Sequence, residues 1–211
     1  MGQKVETAAM EWGVAASTLQ GQKESGDQHL IAETSRGFLL AAIDGVGHGQ
    51  EASVAAKIAA SVLNEFRQES IIPLVQKCNE RLHGTRGVVL SVASIDLLEN
   101  TITWLGVGNV AGLLLHRDSY GTLIREELIL RGGVVGDHLP NLFAGIMPLS
   151  RGDILILATD GIRASFAENL PLRESPKEIA DHILSRYARD SDDALTLVAR
   201  YWGRERERNG A

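Results

Sequence analysis

Apolar residues recur along this chain with two different periods, and the switches between them mark out the elements. Val54, Ile58, Val62 and Phe66 fall every four residues, with Ala55, Ala59 and Leu63 beside them, the repeat that lines one face of a helix. Ile71, Val75, Cys78 and Leu82 do the same and meet a stop signal at Gly84. A third helix is predicted after Ser175-Pro176-Lys177-Glu178, where serine caps, proline suits the first turn and glutamate reaches back to the cap. Ile179, Ile183 and Tyr187 form its apolar stripe. Elsewhere, β-branched and aliphatic runs separated by glycine-rich turns read as strands. They cover residues 6–19, with a break near Gly13, then 30–34, 38–43, 88–95, 101–105, 111–116, 124–130, 154–159 and 195–202.

Strands, a helix pair, more strands, a helix and a last strand do not follow the strict alternation of a parallel doubly wound sheet. The expectation is an α+β fold with two antiparallel sheets covered by helices. The length of 211 residues suits one well-buried core, read as a single domain over 1–203 with a charged polar tail at 204–211. Hydrophobic residues at 44% and charged residues at 23% are those of a globular protein rather than a disordered one. Lys and Arg number 21 against 27 Asp and Glu, a net charge of −6 that disfavours nucleic acid or an anionic membrane as partner. Cys78 is the sole cysteine, so there is no intrachain disulfide and no thiolate-rich metal site, and it reads as a small core residue. The opening Met1-Gly2-Gln3-Lys4-Val5 lacks the apolar run of a signal peptide, and no stretch approaches the ~18 apolar residues of a membrane span. A cytoplasmic location is expected.

The candidate chemistry sits at strand ends. The strands over 38–43 and 154–159 each run into Asp-Gly, at Asp44-Gly45 and Asp160-Gly161. Asp192-Asp193 stands before the last strand, and Asp27 precedes another. Any one Asp-Gly is also ordinary turn chemistry; its repetition at two strand ends is what makes a shared site worth weighing. Carboxylates that converged in a partly dry site would repel one another, and hard oxygen ligands of this kind select magnesium or manganese. The six histidines include no helical pair four residues apart that would suit zinc, and Walker A and Gly-x-Ser-x-Gly signatures are absent. Gly106-Val107-Gly108-Asn109 lacks the third glycine of a dinucleotide fingerprint and reads as a tight turn. With no evident nucleophile, activated water remains.

Five strings together resemble the metal-dependent type 2C protein phosphatases: Ser25-Gly26-Asp27; Ala42-Ile43-Asp44-Gly45-Val46-Gly47-His48-Gly49 opening an Ala-rich helix; Val107-Gly108-Asn109-Val110; Ala158-Thr159-Asp160-Gly161; and Asp193-Ala194-Leu195-Thr196. Their order covers nearly the whole chain, and the second is most similar to the bacterial branch that includes SpoIIE and the stress-response phosphatases. The resemblance implies a four-layer αββα fold, a central antiparallel β-sandwich flanked by helices, with two divalent cations, manganese or magnesium, at one end. It implies that Asp44 bridges both cations, that Gly45 offers its carbonyl, that Asp160 and Asp193 complete one cation, and that Asp27 fills the family's N-terminal acidic position. It further implies hydrolysis of phosphoserine and phosphothreonine on stressosome scaffold and co-antagonist proteins of the RsbR and RsbS kind, resetting the stress signal. Phosphate monoesters are inert enough to need accelerations approaching ~10²¹-fold, which is why a two-cation apparatus suits them.

The chain also departs from the family pattern. Relatives with a histidine directly after Asp-Gly can use it as general acid; here that position is Val46, and His48 lies two residues on as a candidate catalytic substitute. Asn109 stands where relatives with a third metal have aspartate, and Lys23 is a poor match for the phosphate-gripping arginine of eukaryotic relatives. A type 2C-fold binding module without turnover, and an unrelated cation-binding β protein, are the alternative readings. Residues 132–140, with three glycines and the polar tips Asp137 and His138, read either as a lid or as an exposed loop.

Overall fold

Apolar runs that are buried on both faces need cover on both sides, and two stacked sheets with outer helices provide it. A computed structural model describes residues 9–204. In chain order it forms β1 (Met10–Ser17), β2 (Asp27–Glu33), β3 (Gly37–Gly45), α1 (Gln50–Glu65), α2 (Ile71–Leu82), β4 (Val88–Asp96), β5 (Thr101–Val107) and β6 (Ala111–Arg117). There follow β7 (Leu123–Glu127), β8 (Leu130–Arg131), β9 (Gly145–Pro148), β10 (Ile154–Ala158), a 3-10 turn (Ala164–Ala167), α3 (Pro176–Tyr187) and β11 (Ala194–Tyr201). One sheet has the order β1-β11-β10-β6-β7; the other has β2-β3-β4-β5-β8, with β9 also paired to β5.

The alternation of side chains along β3 shows how the layers form. Phe38, Leu40 and Ala42 point between the sheets, where they meet Leu155, Leu157, Leu195 and Leu197. Leu39, Ala41 and Ile43 point outward into the layer made by α1 and α2, among Ala55, Ala59, Leu74 and Cys78. A third apolar layer lies between the first sheet and α3, holding Ile156, Val198, Ile179 and Ile183. Each fully buried Leu or Ile contributes roughly 1.5–3 kcal/mol relative to exposure. The result is the α+β arrangement of four layers, αββα, expected from the sequence. Cys78 is buried, as expected of a core residue.

The helices follow their sequence signals closely. Over α3, Ser175 accepts from the Glu178 backbone N–H while the Glu178 carboxylate accepts from the Ser175 N–H, a complete capping box; such caps are typically worth ~1 kcal/mol. α1 begins at Gln50, four residues before its first apolar repeat, because Gln50 and Glu51 carry no apolar periodicity.

Two strand expectations need correction, and one strand, β9, was not expected. β1 runs unbroken through Gly13, which pairs with Val198. A methyl group built on Gly13 would lie 2.2 Å from Lys177 Cα, so the glycine is a notch that seats the start of α3 and not a strand break. The run 124–130 divides between sheets: β7 stays beside β6, the Leu128 N–H donates to Gly112 O, and Leu130 already pairs with Gly106 of the other sheet. β9 ends in Pro148 and carries no alternating apolar run; it is an edge strand, the place where proline is tolerated.

Residues 132–140 are fastened, not free. Val135 is fully buried and exchanges both backbone hydrogen bonds with Val88, and the Gly136 N–H donates to Asn79 Oδ1 on α2. Of the expected polar tail, all but Arg204 lies outside the described residues, as do residues 6–8 of the first expected strand. Among the described residues, no helix is long and apolar enough to cross a membrane.

Candidate metal centre

Two neighbouring strand ends from each sheet meet at one end of the sandwich. In the second sheet, Asp27 opens β2 and stands directly opposite Asp44, the penultimate residue of β3. In the first, Asp160 follows β10 by two residues, and Asp193 immediately precedes β11, the neighbour of β10. Asp27 and Asp193 are buried, Asp44 and Asp192 half-buried, and Asp160 exposed.

Close backbone approaches bring these ends together, and glycines permit them. A methyl group at Gly45 would lie 2.1 Å from Ala52 O, and one at Gly161 would lie 1.9 Å from Asp193 O. The second Asp-Gly thus puts Asp160 beside the Asp193 backbone, and the first seats α1 against the end of β3.

Hydrogen bonds then fix individual carboxylates. Thr159 Oγ1 accepts from the Leu195 N–H at 2.9 Å and directs its own proton to Asp27 Oδ2 at 2.7 Å, tying the two sheets together. Asp193 accepts from the Leu19 N–H through Oδ1 at 2.8 Å and from the Gly26 N–H through Oδ2 at 2.7 Å. Asn109 donates through Nδ2 to Asp160 Oδ2 at 2.7 Å and so holds that carboxylate in place.

The electrostatics report the crowding. Burial, reinforced by Asp27, Asp160, Asp192 and Asp193, pushes the Asp44 carboxyl up to about 8. Burial also raises Asp27 to about 7, against the pull of the Thr159 hydroxyl and with the charges of Asp193, Asp160 and Asp192 adding to it. Asp192 is raised too, by burial first, with Asp160 and Asp193 contributing and His48 opposing. Among the described residues, no Lys or Arg forms a salt bridge with any of these five aspartates.

The donor set fits divalent cations. All the candidate side-chain ligands are hard oxygens, and among the described residues no Lys or Arg salt bridge offsets their mutual repulsion. Among the described residues, no three Asp, Glu, His or Cys side chains form a ready cage for an ion. Magnesium commonly binds through one or two carboxylates and keeps several waters, so an open arrangement of carboxylates suits it.

The structure therefore brings Asp27, Asp44, Asp160 and Asp193 into one electrostatic neighbourhood, with the Gly45 backbone at its edge. His48 is exposed on the loop between β3 and α1 and acts on Asp192 from there. Sequence reasoning missed Thr159 as the partner of Asp27, while Asp192 lies beside Asp193 and accepts from its N–H. Thr159 was signalled only by its place beside Asp160, since a hydroxyl reaching across sheets leaves no periodic mark.

The model of the family described as Stage II sporulation protein E (SpoIIE) matches residues 34–202. The chain belongs to the SpoIIE family of type 2C phosphatases. The phosphoserine phosphatase RsbX of Bacillus subtilis (strain 168) is 23% identical over 180 residues, 85% of this chain and 88% of that protein. A crystal structure of RsbX in complex with magnesium has TM-score 0.82 at 19% identity, covering 95% of this chain and 100% of that one. A structure solved in work on the bacterial stressosome, a modular system adapted to control secondary-messenger signalling, has TM-score 0.81 at 27% identity. It covers 90% of this chain and 99% of that one. The SpoIIE match begins at residue 34, beyond Asp27, which is tied to the cluster by its pairing with Asp44, its bond from Thr159 and the charges around it.

Proposed function

We propose that this SpoIIE-family chain is a protein serine/threonine phosphatase that hydrolyses phosphoserine and phosphothreonine on stressosome scaffold and co-antagonist proteins of the RsbR and RsbS kind in the cytoplasm, resetting a stress signal. The observation that carries the reading is the group of five aspartates at the joined strand ends, with which, among the described residues, no Lys or Arg forms a salt bridge. Asp44, Asp160 and Asp193, with the Gly45 carbonyl and Asp27, would hold two divalent cations, manganese or magnesium. Once bound, such cations neutralise charge on the phosphoryl group and make water acidic enough to serve as nucleophile near neutral pH.

The chain's own residues supply position and protons. Thr159 orients Asp27, Asn109 orients Asp160, and backbone N–H groups orient Asp193. His48, exposed on the neighbouring loop, is the candidate donor of a proton to the departing serine or threonine oxygen. Manganese-loaded protein should hydrolyse p-nitrophenyl phosphate and a phosphorylated scaffold domain, and Asp44→Asn should abolish both reactions. Equal, metal-independent rates in the two proteins would sink the reading. The second reading, a module that docks without turnover, draws on Val46 occupying the position of the usual histidine; calorimetry showing scaffold binding without manganese-dependent hydrolysis would favour it.

A further inference from the structure

Against the loop that follows Asp44-Gly45 lies the guanidinium of Arg86, from the turn between α2 and β4, which the catalytic reading leaves unused. Gly45 pairs with Val88 at the end of the β3–β4 ladder, and the Val46 N–H donates to Gly87 O just beyond it. That extension sets Arg86 across from Gly47. A methyl group built on Gly47 would lie 2.8 Å from Arg86 Nη1, and Gly47 adopts φ 91°, so the backbone there is shaped to let the guanidinium lie on it. On its other side, Arg86 Nε donates to Glu51 Oε2 in the first turn of α1.

The pair is exposed, with side-chain accessibilities of 51% for Arg86 and 70% for Glu51. It forms one wall of an open groove of about 480 Å³ lined by Gln50, Glu51, Val54, Gly84, Thr85 and Arg86. Val54 is 45% exposed and gives the groove an apolar contact. A single carboxylate satisfies one edge of a planar guanidinium with five donors, which leaves the other edge for a second oxyanion. The loop beside Arg86, residues 46–49, is continuous with the strand end that carries Asp44.

We infer that Arg86, held by Glu51 against Gly47, is a specificity-determining residue that binds an oxyanion of the phosphorylated protein substrate in the groove between α1 and the α2–β4 turn. The inference rests on the phosphatase reading and adds to it the class of substrate favoured: a segment whose phosphoserine or neighbouring acidic side chain reaches Arg86 while an apolar side chain rests on Val54. Glu51 keeps its own edge of the guanidinium, but its negative charge opposes the approach of a second anion. Removing the arginine and neutralising Glu51 therefore have opposite consequences.

The test compares wild type, Arg86→Ala, Arg86→Lys and Glu51→Gln with manganese on p-nitrophenyl phosphate and on two phosphoserine peptides, one flanked by Asp or Glu and one by Gln. Arg86→Ala is expected to raise KM about tenfold, the worth of one charge-assisted hydrogen bond, with kcat nearly unchanged. Glu51→Gln should lower KM, and Arg86→Lys should restore only part of the loss. A KM increase on all three substrates assigns the oxyanion to the phosphoryl group; one confined to the acidic peptide assigns it to the flanking carboxylate. Unchanged KM in Arg86→Ala on every substrate, or KM shifts of the same sign in Arg86→Ala and Glu51→Gln, overturns the inference. Calorimetric binding of the acidic phosphopeptide is measured in parallel: absent turnover with Arg86-dependent binding defeats the phosphatase reading alone, whereas turnover with Arg86-independent binding defeats this one.

Discussion

The β3–β4 strand pair ends in an aspartate at both extremities, and the two have opposite surroundings. At one end Asp96, opposite Gly37, is bonded to the Arg36 guanidinium and accepts from the Leu98 and Glu99 backbone N–H groups. Slight burial works against it, but Arg36 and these N–H groups win and hold Asp96 below the ordinary carboxylate range. At the other end Asp44, opposite Val89, is hemmed in by four more aspartates and pushed up to about 8, by burial first and then by their charges. One fold thus contains a carboxylate held by a guanidinium and backbone N–H groups and, along the same two strands, one crowded by like charges. The difference separates the two acids more sharply than burial alone does.

The largest test of that contrast removes Asp44. Asp44→Asn should reduce manganese-dependent hydrolysis of p-nitrophenyl phosphate by more than ~100-fold, beyond the range seen when residues merely supporting a ligand are lost. The same substitution should raise the melting temperature of the metal-free protein, because it deletes one member of a repelling set. Lower activity with unchanged or lower metal-free stability would mean that the crowding is not what distinguishes this end. Next comes Thr159→Val, which keeps the shape but removes the hydroxyl from Asp27; calorimetry should show manganese affinity falling ~10–100-fold.

A smaller effect concerns pH. Asp27 and Asp44 have folded-state values of about 7 and about 8, above the ordinary 3.8, so between those limits the folded chain holds more protons than the unfolded one. Stability of the metal-free protein should therefore fall as pH rises from 5 to 9, by on the order of a few kcal/mol, and added magnesium or manganese should flatten the slope. Chemical denaturation across that range, with and without metal, measures it; a rise in metal-free stability over the same window would contradict the sign. Smallest is Asp96→Asn at the end held by Arg36. It should cost under ~1 kcal/mol and leave metal affinity untouched, since an exposed ion pair contributes little and the amide oxygen can still accept from Leu98 and Glu99.

Much of this was legible in the sequence because it has a period or a named signal. The three helices showed their stripes and, in α3, their cap; the α+β layering followed from the order of elements; and Asp44-Gly45 and Asp160-Gly161 stood out as a repeated strand ending. What stayed hidden was tertiary. Gly13 looks the same as a breaker whether or not a helix rests on it, and only the approach of Lys177 decides. The passage through Leu128 from one sheet to the other has no marker in a run that reads as one strand. At the site, the Asp27–Thr159 bond joins residues 132 positions apart, and Arg86 meets Gly47 only because the β3–β4 ladder extends past its last paired residues.

Asp193 closes both ends of the stretch between Leu19 and Gly26 with its two oxygens, and so acts as a buckle. Lys23 lies exposed within that stretch. Any event that draws the Asp193 oxygens elsewhere loosens the strap on which Lys23 rides, so the rate of tryptic nicking after Lys23 becomes a gauge of how tightly the buckle is fastened, readable without any phosphorylated reagent.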